Sequence, residues 1–459
     1  MTYDPHPSVA PAYRGAGWLD VALPAALERW PRHRTRLQID KTGDSYDIAR
    51  EELVAYADGR AIDWPEETIY FLCDMHADTD AFFRSLVASG GVEKTGPGDD
   101  DFALTPEGKR AIFVIGGDCI DKGPDNLRLL RAIRRLIDRG ADVELLVGNH
   151  DLRMLVGLIY GGARDPRFAH LFVRMGKKSI PLFREIYDTF VAGGRGPEHG
   201  PHAGRRDFLP DDQVRARLFH DDAWYDDFPR AVAGLIPPDK VAKEVARIRE
   251  KVHELVDRCD ELDMSLGMVH AAFETARWLF LDPAGEFHWF FERMKLCRKY
   301  GAFLFIHAGV DDVIARHLRE HGVHHLNEEF RRLIADDLFG LYHGHVGNTF
   351  RTKYRDSDRP FTAAGQRDLQ DAGIAAIVHG HRNILRGQRM VLRGGILNFE
   401  CDVSVDSNTR ALEGATGPGG GVTVLRPDGH ILGISTDHPY IKHFDARSAF
   451  RLHRSRAGR

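Results

Sequence analysis

Aspartate, histidine and asparagine recur in this sequence directly behind short apolar runs. Asp74, His76 and Asp78 follow residues 69–73, and Asp118 and Asp121 follow residues 111–115. Asn149 and His150 follow residues 143–147, His307 follows 303–306, and His379 and His381 follow 374–378. Carboxylate oxygen and imidazole nitrogen together, with no cysteine ligand implied, suit an ion of the manganese, iron or zinc type better than a structural zinc site. Asp74 and His76 stand two apart, so both can face one ion from a short loop. Asp118 can bridge to a second ion, which Asn149, His307 and His381 would complete. Two ions about 3.5–4 Å apart clamp a phosphoryl group and bring the pKa of a shared water towards ~7, so that a bridging hydroxide attacks phosphorus in line. His150 can point into the same space and protonate the leaving oxygen, with Asp121 holding its imidazole in the productive orientation.

The elements that must deliver these groups can be read around them. The five apolar runs read as strands buried on both faces, because β-branched and aromatic residues fill them without alternation. Residues 124–139 carry apolar side chains at 127, 129, 130, 133, 136 and 137 among arginines, which predicts a helix with one face on a sheet. Strand and helix in alternation argue for an α/β core, and ligands of such sheets sit outside the carboxyl ends of the strands. Residues 92–109 read as an inserted loop or hairpin that would overhang the site. Residues 156–300 break the rhythm with a Gly/Pro/His/Arg-rich loop at 193–206. A 4-3-4-3 apolar seam follows over 239–263, expected to pack on the aromatic-rich 273–296 rather than to form an intermolecular coiled coil. After Gly387 the pattern turns to β at 395–400, and 422–425 and 430–434 form a hairpin about the turn 426–429. Residues 63–65 (Asp-Trp-Pro) mark a break before regular structure, and the basic tail 447–459 reads as mobile.

The chain has 459 residues, 63 basic and 68 acidic, for a formal charge of −5. A near-neutral balance without a basic-aromatic stripe argues against a nucleic-acid substrate and so against a metallonuclease. Five scattered cysteines, without CxxC pairs, argue against a disulfide scaffold. No apolar run approaches the ~18 residues of a membrane span, and the first residues show no signal-peptide pattern. A cytoplasmic protein without a membrane partner is the expectation. The 24 histidines carry no meaning until position sorts them.

Taken together, DxH, GDxxDxG, GNHD, HAG and GH, in this order, resemble the calcineurin-like metallophosphoesterase superfamily, in a form similar to its phosphoprotein-phosphatase (PPP) bacterial branch. The resemblance covers residues 67–155 and 301–405. It implies a four-layer β-sandwich of two mixed sheets flanked by helices, here with a mainly helical insertion. Carried over, Asp74, His76 and Asp118 would hold the first metal, and Asp118, Asn149, His307 and His381 the second. His150 and Asp121 would form the acid dyad. The cofactors are two divalent or trivalent ions of manganese, iron or zinc. The family's usual DRG reads Asp121-Lys122-Gly123, so Lys122 takes the place of a phosphate-gripping arginine and lacks its bidentate fork. Arg351, behind Phe350, is the best match for a second phosphate-binding arginine, with Arg355 behind it. The organisation is then an N-terminal extension (1–66), two core halves (67–155 and 301–435), a helical insertion and cap candidate (156–300) and a basic tail (436–459).

Bland alternatives exist for several residues. His379 reads as lining the pocket or bonding a ligand, while His381 fits the GH position. The second His-Gly-His at 343–345 reads as a loop feature or substrate contact. Cys73 and Cys119 read as buried, inert thiols. Glu400 and Asp402 read either as outer partners of a ligand histidine or as edge-strand polarity. The expected activity is metal-dependent hydrolysis of phosphate monoesters, phosphoprotein serine/threonine phosphatase-like, on a phosphorylated protein or small phosphorylated metabolite. The alternative is a dinucleoside-polyphosphate or small-metabolite phosphatase. A non-catalytic metal-binding scaffold is disfavoured because every ligand and the acid are present.

Overall fold

The computed structural model describes residues 9–31, 47–193 and 207–454. The chain divides into two units. One comprises Met1–Cys119, Arg131–Asn149 and Met294–Arg459, the other Ile120–Leu130 and His150–Arg293. The first is built on strands. These are β1 (Leu27–Arg29), β2 (Ala61–Trp64), β3 (Ile69–Leu72), β4 (Val92–Lys94), β5 (Phe102–Leu104), β6 (Ile112–Ile115) and β7 (Asp142–Leu145). After the excursion into the second unit come β8 (Cys297–Tyr300), β9 (Phe303–Ile306), β10 (Ala376–His379), β11 (Arg389–Arg393) and β12 (Ile396–Glu400). The last four are β13 (Gly421–Leu425), β14 (His430–Ser435), β15 (Ile441–Asp445) and β16 (Arg451–Arg454).

Seven strands form one mixed sheet in the order β1-β15-β14-β13-β3-β6-β7, and five form another in the order β11-β12-β10-β9-β8. The sheets face each other through aromatic side chains, with the Phe71 and Phe305 rings 5.7 Å apart. Each such ring, fully buried, is worth roughly 1.5–3 kcal/mol relative to exposure. β3, β6 and β7 run parallel, as do β9, β10 and β12. Their carboxyl ends therefore gather by sheet, as five apolar runs followed by polar residues require. Two mixed sheets are what the resemblance leads one to expect.

Three readings of the sequence are corrected. Regular structure begins before the Asp-Trp-Pro break. A helix spans Arg50–Ala57, β2 pairs with β16, and β1 lies parallel to β15 at the edge of the large sheet. Strands of three or four residues with polar members leave no periodic signal. The C-terminal stretch, read as mobile, is held by β15 and β16 as far as Arg454; residues 455–459 lie outside the described residues, as do 194–206 of the loop at 193–206. The helix Pro238–Glu261 buries Val241, Ile248, Leu255 and Cys259 of the seam, yet packs chiefly on Leu171–Met175, Lys177–Ser179 and Trp224–Ala231 rather than on 273–296. The latter stretch is two helices, Leu266–Leu281 and His288–Arg293. The first is buried on most faces and occupied by Ile180–Ile186, with Phe273 against Phe172 and Phe183. The segment 92–109 does form a hairpin, β4–β5, with Phe102 on Phe83 and under the Arg139 guanidinium.

Glu400 neither touches a ligand histidine nor sits at an edge. It is fully buried on β12, between β11 and β10, and carries the arginines that brace the loop after β10. Arg389 Nε donates to Oε2 at 2.8 Å, Arg393 Nη2 to Oε1 at 2.8 Å, and Arg382 Nε lies 3.4 Å from Oε1. Burial alone would raise its pKa, but Arg393, Arg382 and Arg389 outweigh it and hold the carboxyl at about 2. A depressed folded pKa stabilises the fold above the unfolded value near 4.5 and loses that contribution as pH falls towards 2. Glu400→Gln is expected to cost on the order of 3–5 kcal/mol in urea unfolding at pH 7, since buried guanidinium charge is left without its partner. The difference from wild type should shrink as the pH is lowered through that window.

Candidate metal centre

The loops leaving the parallel strands continue the strand ladder, and this is what aligns the donors. Asp74 N donates to Gly117 O, His76 N to Asp118 O, and Ala77 N to Cys119 O, at 3.0, 2.9 and 2.7 Å. On the other sheet Gly380 N donates to His307 O at 3.0 Å. His381 N donates to Asp74 Oδ2 at 2.9 Å, so the two loop sets are tied to each other through a ligand carboxylate. The turns are tight enough to put Asp74, His76, Ala77, Asp118 and His381 at positive φ. Non-glycine residues in that region cost of order 1–3 kcal/mol each and persist where the surroundings over-determine them, as at functional sites.

Two sets of donor atoms result. Asp74, His76 and Asp118 form one and Asp118, His307 and His381 the other, each with its atoms within 4.8 Å of one another. Asp118 belongs to both. His76 Nε2 lies 4.0 Å from Asp74 Oδ1 and 3.7 Å from Asp118 Oδ2; His307 Nε2 lies 3.6 Å from Asp118 Oδ1. These separations are too long for hydrogen bonds and suit atoms that surround an ion at about 2.0–2.2 Å. His307 shows why an ion fits. Its Nδ1 donates to Gly116 O at 2.8 Å, which fixes the tautomer and leaves Nε2 with a lone pair. That lone pair faces Asn149 Oδ1, another acceptor, at 3.3 Å. Two acceptors and a carboxylate converging in a buried space call for a cation.

His381 is held well below the ordinary histidine pKa, first by burial and then by His307 and Lys353, so its imidazole is neutral and able to ligate. Lys353 had no motif to mark it in the run Phe350-Arg351-Thr352-Lys353, and only its placement near His381 brings it to notice. Arg351, by contrast, directs Nε to Gly347 O at 3.0 Å and Nη2 to Tyr342 O, and stacks over the Tyr342 ring. His379 is fully buried, pushed down to about 4 by burial, with Nδ1 against Gly380 O. It stands opposite Glu400 in the β10–β12 register. In the second His-Gly-His, His345 Nδ1 is 2.9 Å from Asp311 Oδ2 and its Nε2 is 3.0 Å from Arg359 Nη1, a structural tether. Cys73 and Cys119 are buried thiols, and burial pushes that of Cys73 well up.

Backbone approach to the carboxylates is close enough to demand glycine. A Cβ on Gly148 would stand 2.2 Å from Asp118 Oδ1, and one on Gly380 2.0 Å from Asp74 Oδ2. Gly148→Ala is expected to displace Asp118 and lower bound metal, read by metal analysis, and to lower the unfolding midpoint as well, since the same Cβ would stand 2.3 Å from the Asp118 backbone nitrogen.

The other unit holds the proposed acid dyad. His150 Nδ1 lies 3.0 Å from Asp121 Oδ2, and both side chains are buried. Asp121 and Lys122 stand at positive φ. Asp121 N donates to Asn126 Oδ1 at 2.9 Å, and Asn126 and Leu127 donate in turn to Glu185 at 2.7–3.0 Å. Glu185 thus caps the start of the helix Asn126–Asp138, where a negative charge is favourable. Burial raises its pKa despite these donors. No local motif announces a partner 59 residues away.

Residues 67–251 match the family model described as calcineurin-like phosphoesterase. A symmetrical bis(5'-nucleosyl)-tetraphosphatase of Buchnera aphidicola subsp. Acyrthosiphon pisum is 28% identical over 103 residues, which is 22% of this chain and 30% of that protein. The chain therefore spans less than a third of the length of the curated relatives it matches. Among solved structures, a cold-active protein-tyrosine phosphatase of a psychrophile Shewanella sp. aligns over 90% of both chains at 14% identity and a TM-score of 0.42. A protein serine/threonine phosphatase from Saccharomyces cerevisiae aligns over 87% of this chain and 90% of its own at 10% identity and a TM-score of 0.37. Among the described residues, no helix is long and apolar enough to cross a membrane.

Proposed function

Because residues 67–251 match the model of the calcineurin-like phosphoesterase family, we propose that this chain is a metal-dependent hydrolase of phosphate monoesters, phosphoprotein serine/threonine phosphatase-like. The observation that carries the reading is the pair of donor sets sharing Asp118. Manganese, iron or zinc ions, when bound, supply Lewis-acid charge and a water of lowered pKa. Asp74, His76 and Asp118 would hold one ion, and Asp118, Asn149, His307 and His381 the other. His307, with its tautomer fixed by Gly116, would offer Nε2 as a ligand to that ion. His150, the residue after Asn149 in the chain, delivers the proton to the leaving oxygen while Asp121 holds its other nitrogen.

Lys353 and Lys122 are the proposed grips on phosphate oxygens, as point charges rather than forks. Arg351 is left out of that role because its donors are turned to backbone carbonyls. Lys353→Met is expected to raise KM several-fold while changing kcat less, measured with an aryl phosphate.

A second reading, hydrolysis of dinucleoside polyphosphates, draws on the 103-residue similarity. Metal-reconstituted protein assayed on phosphopeptides, dinucleoside polyphosphates, and sugar or nucleotide monophosphates separates the two. Inactivity on all of them and on aryl phosphate, with two ions bound, would sink the enzymatic proposal. The substrate is a phosphorylated protein or small phosphorylated metabolite. The proposed compartment is the cytoplasm, where five buried free thiols stay reduced.

A further inference from the structure

Three histidines remain close together away from the metal centre, on the helix Asp312–Asp336. His317, His321 and His325 stand four residues apart, with Glu329 four further on. In a straight helix His317 and His325 would be separated by about 12 Å of rise, out of reach of a common ligand. The helix is not straight. Gly322 has φ 78° and ψ 178°, a conformation essentially reserved for glycine, and it divides the element into two helical halves. The fold back at Gly322 closes the three rings on one another. Their centroids lie 5.1 Å (His317–His321), 5.0 Å (His317–His325) and 4.8 Å (His321–His325) apart.

The polar atoms converge as well. His317 Nε2 is 2.9 Å from His325 Nδ1, and His317 Nδ1 is 3.2 Å from Glu329 Oε2. Donor atoms of His317, His325 and Glu329 all lie within 4.8 Å of one another. They border a cavity of about 530 Å³ with His321, Glu328 and Arg332. Burial holds the His317 imidazole below its ordinary pKa, and His325 and His321 push the same way against Glu329. Imidazoles with one carboxylate make an N/O donor set that suits zinc and its neighbours rather than calcium or magnesium.

We propose that His317, His325 and Glu329 bind one further divalent ion of the zinc type, with the His321 ring packed edge-on against His317 and tilted against His325 to orient them. The ion takes the place of the proton shared between His317 and His325, and His325 moves to its other tautomer to free Nδ1. Its seat bridges the two halves of the helix across Gly322, so that binding pins the kink. The site is separate from the shared-Asp118 centre and does not depend on the phosphoesterase reading.

Zinc content after dialysis of full-length protein against micromolar zinc tests this. Wild type is expected to retain three equivalents per chain and His325→Ala two, with aryl phosphate hydrolysis unchanged. His325 is exposed, so the variant keeps its fold. Its zinc affinity at this site should fall by more than the ~10–100-fold that losing an outer partner costs. In an Asp118→Asn background, which empties the catalytic centre, one equivalent should persist and then vanish on adding His325→Ala. Cobalt supplied alone to Asp118→Asn should give a visible spectrum with nitrogen ligation, absent from the double variant. Equal zinc in wild type and His325→Ala, or no cobalt spectrum in Asp118→Asn, overturns the proposal whatever the protein hydrolyses.

Discussion

Asp118→Asn is expected to abolish turnover, by about a thousandfold or more, and to strip the protein of its paired ions. The residue contributes to both donor sets, so its loss removes a bridge rather than one ligand among many. That is a larger loss than the ~10–100-fold drop that follows removal of an outer-shell partner. The substitution is also benign to the fold. Asn is isosteric and among the residues best tolerated at positive φ, the conformation that Asp118 adopts at 54°. Metal-free protein should even gain stability, because Asp74 and Asp118 are both nearly inaccessible and a buried negative charge is removed. The metal-dependent rise in melting temperature should shrink at the same time, since ligand binding stabilises only in proportion to its affinity. Thermal melts with and without manganese, alongside metal analysis, read both signs. A variant that keeps two ions and wild-type turnover would show that Asp118 is no bridge.

How much of this was legible in the sequence follows from which interactions are local. The five buried strands of the two sheets announced themselves through continuous apolar runs, and their polar followers marked Asp74, His76, Asp118, Asn149, His307 and His381. The helices Asn126–Asp138 and Pro238–Glu261 and the β13–β14 hairpin were legible for the same reason, periodicity within a short window. β1, β2 and β16 were not, because short strands with polar members acquire their identity from partners hundreds of residues away, as β2 does from β16. Glu400 read either as an outer partner of a ligand histidine or as edge-strand polarity, since nothing nearby says that Arg382, Arg389 and Arg393 converge on it. Lys353 and Glu185 were missed likewise: each acts on a group remote in sequence, His381 in one case and the loop after Asp121 in the other. Gly322 was one glycine in a helical run, and its φ, not its identity, turns a row of surface histidines into a cluster.

His150→Asn should slow kcat by about 10²–10⁴-fold, the usual worth of a positioned general acid, while leaving metal content intact. The geometry behind this is the 3.0 Å contact of His150 Nδ1 with Asp121 Oδ2. A carboxylate on one ring nitrogen leaves the proton on the other as the one to donate and stabilises the charged imidazolium before transfer. The loss should depend on the leaving group. An aryl oxygen departs readily without a proton and an alkyl oxygen does not, so the defect should be small on aryl phosphate and large on phosphoserine peptide. The basic limb of the kcat–pH profile, which reports loss of that proton, should flatten. Asp121→Asn should show the same leaving-group pattern in milder form, because it loosens the ring's orientation and removes the charge that favours imidazolium. Loss of metal in His150→Asn would instead make the imidazole a support for its neighbour Asn149, and an equal defect on both substrates would remove it from proton transfer.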